Sequence, residues 1–199
     1  MQALRCFVEQ SYPNKELIIV DDLDDRSFDA PPELENVHYF VRDRRESIPA
    51  KRNICCGLAH GEIIWHLDSD DFSSPERMAH QVSQLEESGK DVTGYNSMPF
   101  FDEGSRKAFL YVGAGLYAVG TSLAYNRSWW ERHPFTESPK TCEDNLFNFA
   151  ARKAKQLTAV PCGEMMVARI HSENTTKKYA QYFTPLPIEQ LAKGFAVYL

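Results

Sequence analysis

The strongest constraint on this chain is a pattern that occurs twice: a short apolar run with acids at its carboxyl end. The first is Glu16-Leu17-Ile18-Ile19-Val20-Asp21-Asp22, and the second is Glu62-Ile63-Ile64-Trp65-His66-Leu67-Asp68, continued by Ser69-Asp70-Asp71. Runs without polar alternation suit parallel strands covered on both faces. Val37 to Val41 reads as a further strand between them, and Ile48 to His60 as a helix with Pro49 in its first turn and Gly61 closing it. Ahead of the first run, Leu4, Phe7 and Val8 share a helical face, which Ser11-Tyr12-Pro13-Asn14 ends. After the second run a helix is predicted to about Ser88, with Ser74 as N-cap, Pro75 at the first position, Met78, Val82 and Leu85 on one face and Gly89 at its end. This alternation predicts an α/β fold with a mainly parallel central sheet flanked by helices.

The second half carries shorter strand candidates, Asp91 to Tyr95, Phe109 to Val112 and Ser122 to Tyr125. A helix near Glu143 to Lys155 and strands near Leu157 to Val160 and Met165 to Ile170 follow. No linker separates the halves, and 199 residues suffice for one core that buries roughly 70% of the unfolded chain's surface. Residues 1–174 therefore read as one domain and 175–199 as a tail. The tail carries Lys177, Lys178 and Lys193 with Ile188, Leu191 and Phe195, which permits an amphipathic helix from about Ile188. That is too little charge and apolar surface to indicate membrane association.

Composition removes several function classes. With 22 basic and 28 acidic residues the net charge is −6, so the chain lacks the basic face that a general nucleic-acid binder needs. None of its five cysteines falls in a zinc-site spacing, and small buried thiols of a reducing compartment are expected. No apolar run approaches the roughly 18 residues of a membrane span, and no leader pattern is visible. A cytoplasmic location is the simplest expectation.

In open α/β sheets, ligands bind beyond the carboxyl ends of the strands, where this chain gathers Asp21-Asp22 and Asp68-Ser69-Asp70-Asp71. Crowded carboxylates repel unless a cation or hydrogen-bond donors compensate. Oxygen ligands of this kind suit Mg²⁺ or Mn²⁺ together with substrate phosphates. The alternative is an acidic turn that caps the next helix.

Three segments occur in one order: Gln10 to Asp22, Ile48-Pro49-Ala50-Lys51-Arg52-Asn53, and Gly61 to Asp71. Together with Gly120-Thr121-Ser122-Leu123-Ala124-Tyr125 and Thr141-Cys142-Glu143-Asp144-Asn145, they closely resemble family 2 glycosyltransferases of the GT-A fold, over roughly residues 4 to 174. The resemblance implies inverting, metal-dependent transfer of a sugar from a UDP-sugar to a carbohydrate or glycoconjugate acceptor. By motif, Asp22 would accept from the uracil ring and Arg52 would contact the base or its phosphates. Asp68 and Asp70 would hold the ribose and the metal, Mn²⁺ or Mg²⁺, with Asp71 as an alternative ligand. His171, at the end of a late strand, would complete the metal or diphosphate site. Asp144 would be the general base, with Glu143 orienting it or the acceptor.

Each residue also has a plain structural reading. Asp22 can end a strand, Arg52 can be a solvated helix charge, and His171 can be a satisfied structural histidine. Glu143 and Asp144 can favour a helix start by about 0.3–1 kcal/mol. Trp129-Trp130 reads as core packing or as a platform for a sugar ring.

The chain departs from the family at its start, where a central first strand and its loop usually precede the helix that here begins near Met1. Three expectations follow: residues upstream of this sequence, another segment or subunit in the strand's place, or an impaired nucleotide site. A non-catalytic remnant that binds a carbohydrate or a partner is therefore the rival to the enzyme. A nucleotidyltransferase is a third reading, without the glycine-rich phosphate loop it would need. An oligomer is a possible assembly.

Overall fold

A computed structural model describes residues 2–22, 34–172, 174 and 183–198. Helix α1 spans Gln2–Val8, followed by β1 (Leu17–Asp22), β2 (Val37–Arg42), α2 (Ile48–Leu58), β3 (Ile63–Trp65) and β4 (Phe72–Ser73). Then come α3 (Arg77–Ser88), β5 (Val92–Asp102), β6 (Lys107–Val112), β7 (Ala124–Asn126), α4 (Arg127–Arg132) and α5 (Glu143–Lys153). Strands β8 (Leu157–Pro161), β9 (Met166–Ile170) and β10 (Thr184–Leu186) complete the described set.

Local chemistry accounts for most boundaries. Ser47 caps α2 by accepting from the Ala50 N–H at 3.3 Å, and Pro49 sits in the first turn, where no N–H is required. Helix α3 ends at Gly89, whose φ of 61° is a left-handed conformation that glycine adopts without strain. It starts at Arg77, two residues later than Ser74 as N-cap predicts, and the Ser74 hydroxyl is turned to the Met165 sulfur. On α1 the buried face is Ala3, Cys6 and Phe7, while Val8 is exposed. The cysteines are free, three of them buried, but Cys142 is exposed at the start of α5.

The fold is α/β with a sheet flanked by helices, yet its pairing is mixed rather than mainly parallel. Strands β1 and β2 form a separate parallel pair, and the larger sheet runs β10-β6-β5-β7-β3. The long β5 also takes β8 and β9 as parallel neighbours, while β6 and β7 join it antiparallel. The reason lies in the connections. Four residues, 103–106, join β5 to β6, enough for a hairpin and far too few for a parallel crossover.

Residues 183–198 pack into the same body. Strand β10 pairs with β6, and Phe195 lies in a core cluster with Cys6, Phe72, Phe101 and Val167. Instead of an amphipathic α-helix, this segment makes two 3₁₀ turns, Ile188–Gln190 and Lys193–Tyr198. Lys177 and Lys178 lie outside the described residues. Trp129 is buried core, and Trp130 donates to Asn53 Oδ1 at 2.9 Å. Among the described residues no helix is long and apolar enough to cross a membrane.

At the centre lies a fully buried cation. Arg77 is 0% exposed, and its guanidinium donates to the carbonyls of His66 (3.1 Å) and Thr121 (2.9 Å), the Ser73 hydroxyl (2.8 Å) and Gln81 Oε1 (3.1 Å). The Trp65 ring packs against it at 4.2 Å. Removing one partner from a buried polar network leaves the others unpaired, at about 1–3 kcal/mol each. Arg77→Met is therefore expected to lower unfolding free energy by at least about 3 kcal/mol, measured by urea denaturation. A loss under about 1 kcal/mol would contradict this account of the network.

Candidate functional site

The amino ends of β1 and β3 are tied together. Glu16, just ahead of β1, accepts from the backbone N–H groups of His60 (2.6 Å) and Gly61 (2.8 Å), just ahead of β3. A cavity of about 710 Å³ lies between the two strands and extends to Arg52 and Asp68.

Asp22 ends β1 nearly buried, at 8% exposure. Its Oδ2 accepts from the Glu46 N–H at 3.0 Å, and Lys51 Nζ lies 3.1 Å from the carboxylate. The Glu46 N–H and then the Lys51 ammonium hold this carboxyl below the usual range, against the opposing effect of burial. Arg52, the next residue on α2, places Nη1 2.9 Å from Glu143 Oε1. This is an ion pair by proximity, since Nη1 is not aligned for a hydrogen bond. The same guanidinium lies 5.4 Å from the centre of the Phe135 ring.

Asp144 follows Glu143 in the first turn of α5, where its Oδ1 accepts from the Asn145 N–H at 2.7 Å. Burial chiefly pushes its carboxyl above the ordinary range, with added repulsion from Glu143 and Asp68, while Arg52 and the Asn145 N–H oppose the shift. The 3₁₀ turn Gly120–Ser122 presses against it. A Cβ at Gly120 would overlap the Asp144 carboxylate, so only glycine leaves that carboxylate its place.

The turn itself is anchored by His66, whose Nδ1 lies 3.1 Å from the Gly120 carbonyl and whose Nε2 lies 3.0 Å from the Tyr125 hydroxyl. A carbonyl can only accept, so Nδ1 carries the proton and the tyrosine donates to Nε2. Burial pushes the imidazole well below its usual pKa and keeps it neutral, which agrees with that assignment.

A second group forms around Asp70. Its Oδ2 lies 2.7 Å from His171 Nε2 and 3.2 Å from Asn174 Nδ2. Asp71 is turned away: it is 1% exposed, and it accepts from the Thr121 hydroxyl (2.7 Å) and the Arg169 N–H (3.0 Å). Asp71 therefore bonds β9 to the Gly120–Ser122 turn and does not fit the ligand role expected of it. Among the described residues, no three His, Cys, Asp or Glu side chains converge as a metal cage. Asp70 and His171 offer one carboxylate and one imidazole, a partial set that suits Mg²⁺ or Mn²⁺ when substrate oxygens and water complete the shell.

The structure thus brings Arg52, Asp68, Glu143 and Asp144 together, with Asp70 and His171 as a neighbouring pair and Asp22 held through Lys51. Sequence reasoning missed Lys51, Asn174 and the steric role of Gly120. Lys51 stands beside Arg52 in its motif and Asn174 three residues after His171, so adjacency was the available signal.

Comparison with known proteins gives these residues a setting. The model of the family described as glycosyl transferase family 2 matches residues 2–157. "Putative glycosyltransferase EpsE" of Bacillus subtilis (strain 168) is 28% identical over 134 residues, covering 62% of this chain and 48% of that protein. An uncharacterized glycosyltransferase of Haemophilus influenzae is 32% identical over 87 residues, covering 41% of this chain and 35% of its own length. The chain thus spans half or less of these curated relatives. Among solved structures, S. aureus TarS 1-349 in complex with UDP-GlcNAc matches with a TM-score of 0.65 at 16% identity, over 90% of this chain and 56% of that one. The mannosyltransferase PcManGT of Pyrobaculum calidifontis, in complex with GDP-Man and Mn²⁺, matches with a TM-score of 0.61 at 13% identity, over 86% and 53%. Likeness at this identity establishes the fold, which is GT-A.

The raised carboxyl of Asp144 has a measurable consequence. A group whose folded pKa is raised adds stability below its unfolded value, and that stability is lost as pH rises through the folded value. Asp144→Asn removes the loss while keeping an acceptor for the Asn145 N–H. The variant is expected to melt above the parent at neutral pH, with the gap closing as pH falls towards about 4, the unfolded aspartate value. Thermal melts across pH check this, and a gap that does not change with pH would refute the burial account.

Proposed function

The chain belongs to glycosyl transferase family 2, and from that premise we propose that it transfers a sugar from a UDP-sugar to a carbohydrate or glycoconjugate acceptor with inversion. The observation that carries this reading is the half-buried carboxyl of Asp144, fixed at a helix start beside Arg52 and Asp68.

Asp22 and Arg52 bind the nucleotide, with Lys51 positioning Asp22. Asp68 takes the ribose. Asp70 and His171 hold a divalent cation, Mn²⁺ or Mg²⁺. When bound, that cation supplies Lewis-acid stabilisation of the departing nucleoside diphosphate. Asp144 removes the proton from the acceptor hydroxyl as that oxygen attacks the anomeric carbon in line, and one displacement inverts the centre. Its raised pKa makes it a stronger base than an exposed aspartate. Glu143 holds Arg52 and so sets the charge beside the base. The UDP-GlcNAc bound by TarS and the Mn²⁺ bound by PcManGT agree with a nucleotide-sugar donor and a metal.

A non-catalytic binding module is the second reading, favoured by the open cavity between β1 and β3 and the partial ligand set. Calorimetry with UDP, with and without Mn²⁺, followed by a transfer assay with UDP-sugars, separates the two. The enzyme reading expects UDP binding that Mn²⁺ strengthens, and Asp70→Ala is expected to remove most of the metal dependence. Asp144→Asn is expected to keep UDP binding and lose roughly 10²–10⁴-fold in transfer rate. Absence of UDP binding would sink the enzyme reading and favour the module that binds a carbohydrate or a partner.

A further inference from the structure

The segment that leads into the Gly120–Ser122 turn places two tyrosines beside Asp144. Asn148, one turn along α5 from Asp144, holds both backbone groups of Ala118: its Oδ1 accepts from the Ala118 N–H and its Nδ2 donates to the Ala118 carbonyl, each at 2.9 Å. The same Nδ2 lies 2.9 Å from the Asp144 carbonyl, and Gly120 abuts the Asp144 side chain, so residues 117–120 are bracketed to the helix start. Tyr117 opens this segment, and Tyr111, near the end of β6, is its neighbour. A Cβ on Gly113 would lie 3.2 Å from the Tyr117 ring and 3.6 Å from the Tyr111 ring, so the glycine lets the two rings come together. Phe100 and Phe183 brace Tyr111 at ring-centre distances of 6.2 and 5.3 Å. Both tyrosines are half-buried, and among the described residues neither hydroxyl has a hydrogen-bond partner. Burial first, then the Asp144 carboxylate, pushes both phenols above their usual pKa, which keeps them protonated and able to donate.

We propose that Tyr111 and Tyr117 select the acceptor, and that this acceptor is an uncharged pyranoside laid against the Tyr117 ring with its reacting hydroxyl turned to Asp144. The proposal rests on the transferase reading of the site. The walls define the class of ligand. A pyranose carries C–H groups on its faces, which an aromatic ring covers, and hydroxyls at its rim, which the two phenols serve as donors and acceptors. Charge sets the rest. The charged groups acting on Asp144 are Glu143, Asp68 and the guanidinium of Arg52, which is already paired with Glu143. Residues 111–119, which carry both rings, include no charged side chain. A uronate or a phosphate-bearing sugar would therefore bring its anion to a cluster of carboxylates and be repelled, whereas a neutral pyranoside loses nothing there.

The test titrates the whole chain, with UDP and Mn²⁺ present, with methyl β-D-glucopyranoside, methyl β-D-galactopyranoside and methyl β-D-glucopyranosiduronic acid, and follows binding by saturation-transfer NMR. A neutral glycoside is expected to bind with the C–H protons of one ring face saturated most, and the uronate to bind roughly tenfold more weakly. Tyr117→Ala is expected to weaken the neutral glycoside by roughly tenfold. Tyr117→Phe, which keeps the ring and removes the hydroxyl, is expected to weaken it by a few fold. UDP affinity, measured by calorimetry, is expected to stay unchanged in both variants. Should Tyr117→Ala lose UDP affinity through a disturbed fold, Tyr117→Phe and the uronate comparison decide. Neutral glycosides that fail to bind while UDP binds, or that bind Tyr117→Ala as well as the parent, overturn the proposal and leave the transferase reading standing. So does a uronate that binds as tightly as its neutral counterpart. A parent chain that binds no UDP overturns the transferase reading instead, and this role of the tyrosines with it.

Discussion

The buried guanidinium of Arg77 is the interaction on which the site's geometry depends. Among the described residues it has no carboxylate partner within hydrogen-bond reach, and it is satisfied by two carbonyls, a hydroxyl, a side-chain amide oxygen and the face of Trp65. Burial lowers its pKa to about 10, which still leaves it charged at neutral pH. Its two carbonyl acceptors belong to His66, two residues before Asp68, and to Thr121, next to the glycine that abuts Asp144. One side chain thus fixes the distance between the strand end that carries the acids and the turn that seats the proposed base. His66 makes the same link a second time, through Gly120 and Tyr125.

Within that frame, environment assigns each acid its work. Asp70 and Asp71 are neighbours in sequence, yet Asp70 faces His171 while Asp71 is buried against Thr121 and β9. Asp22 and Asp144 diverge likewise. Donors hold the first low, whereas burial and two like charges raise the second. The net negative charge is therefore a sum over groups in opposed conditions, and it predicts none of them singly.

The α/β class, the acid-ended strands and the helix bearing Glu143 and Asp144 were legible because they rest on local patterns: apolar runs, caps and motif order. Sheet pairing was not, because parallel or antiparallel order depends on which distant strands meet, and β5 recruits β8 and β9 across more than fifty residues. The role of Asp71 was equally hidden, since its partners Thr121 and Arg169 lie 50 and 98 positions away. Gly120 was visible only as part of a motif, and its reason, the carboxylate pressed against it, exists in three dimensions alone. The tail illustrates the same limit: spacing allowed an α-helix, but the segment makes a short strand on β6 and 3₁₀ turns that seat Phe195 against the distant Phe72 and Phe101 rings.

The two-stranded β1–β2 unit carries a consequence for cooperativity. Among the described residues it shares no strand ladder with the larger sheet, exposes Phe40 and Val41 on β2, and is held by packing on α2 and by the Glu16 carboxylate. Two strands alone are marginal in water, so this unit is a foldon of lower stability than the body built on β5. The residues that would grip a nucleotide base at Asp22 thus sit on the part of the molecule that opens first, while the proposed base at Asp144 sits on the part that opens last. A ligand bridging the two would tighten the ribbon against the body and bring the ribbon's local stability closer to that of the body.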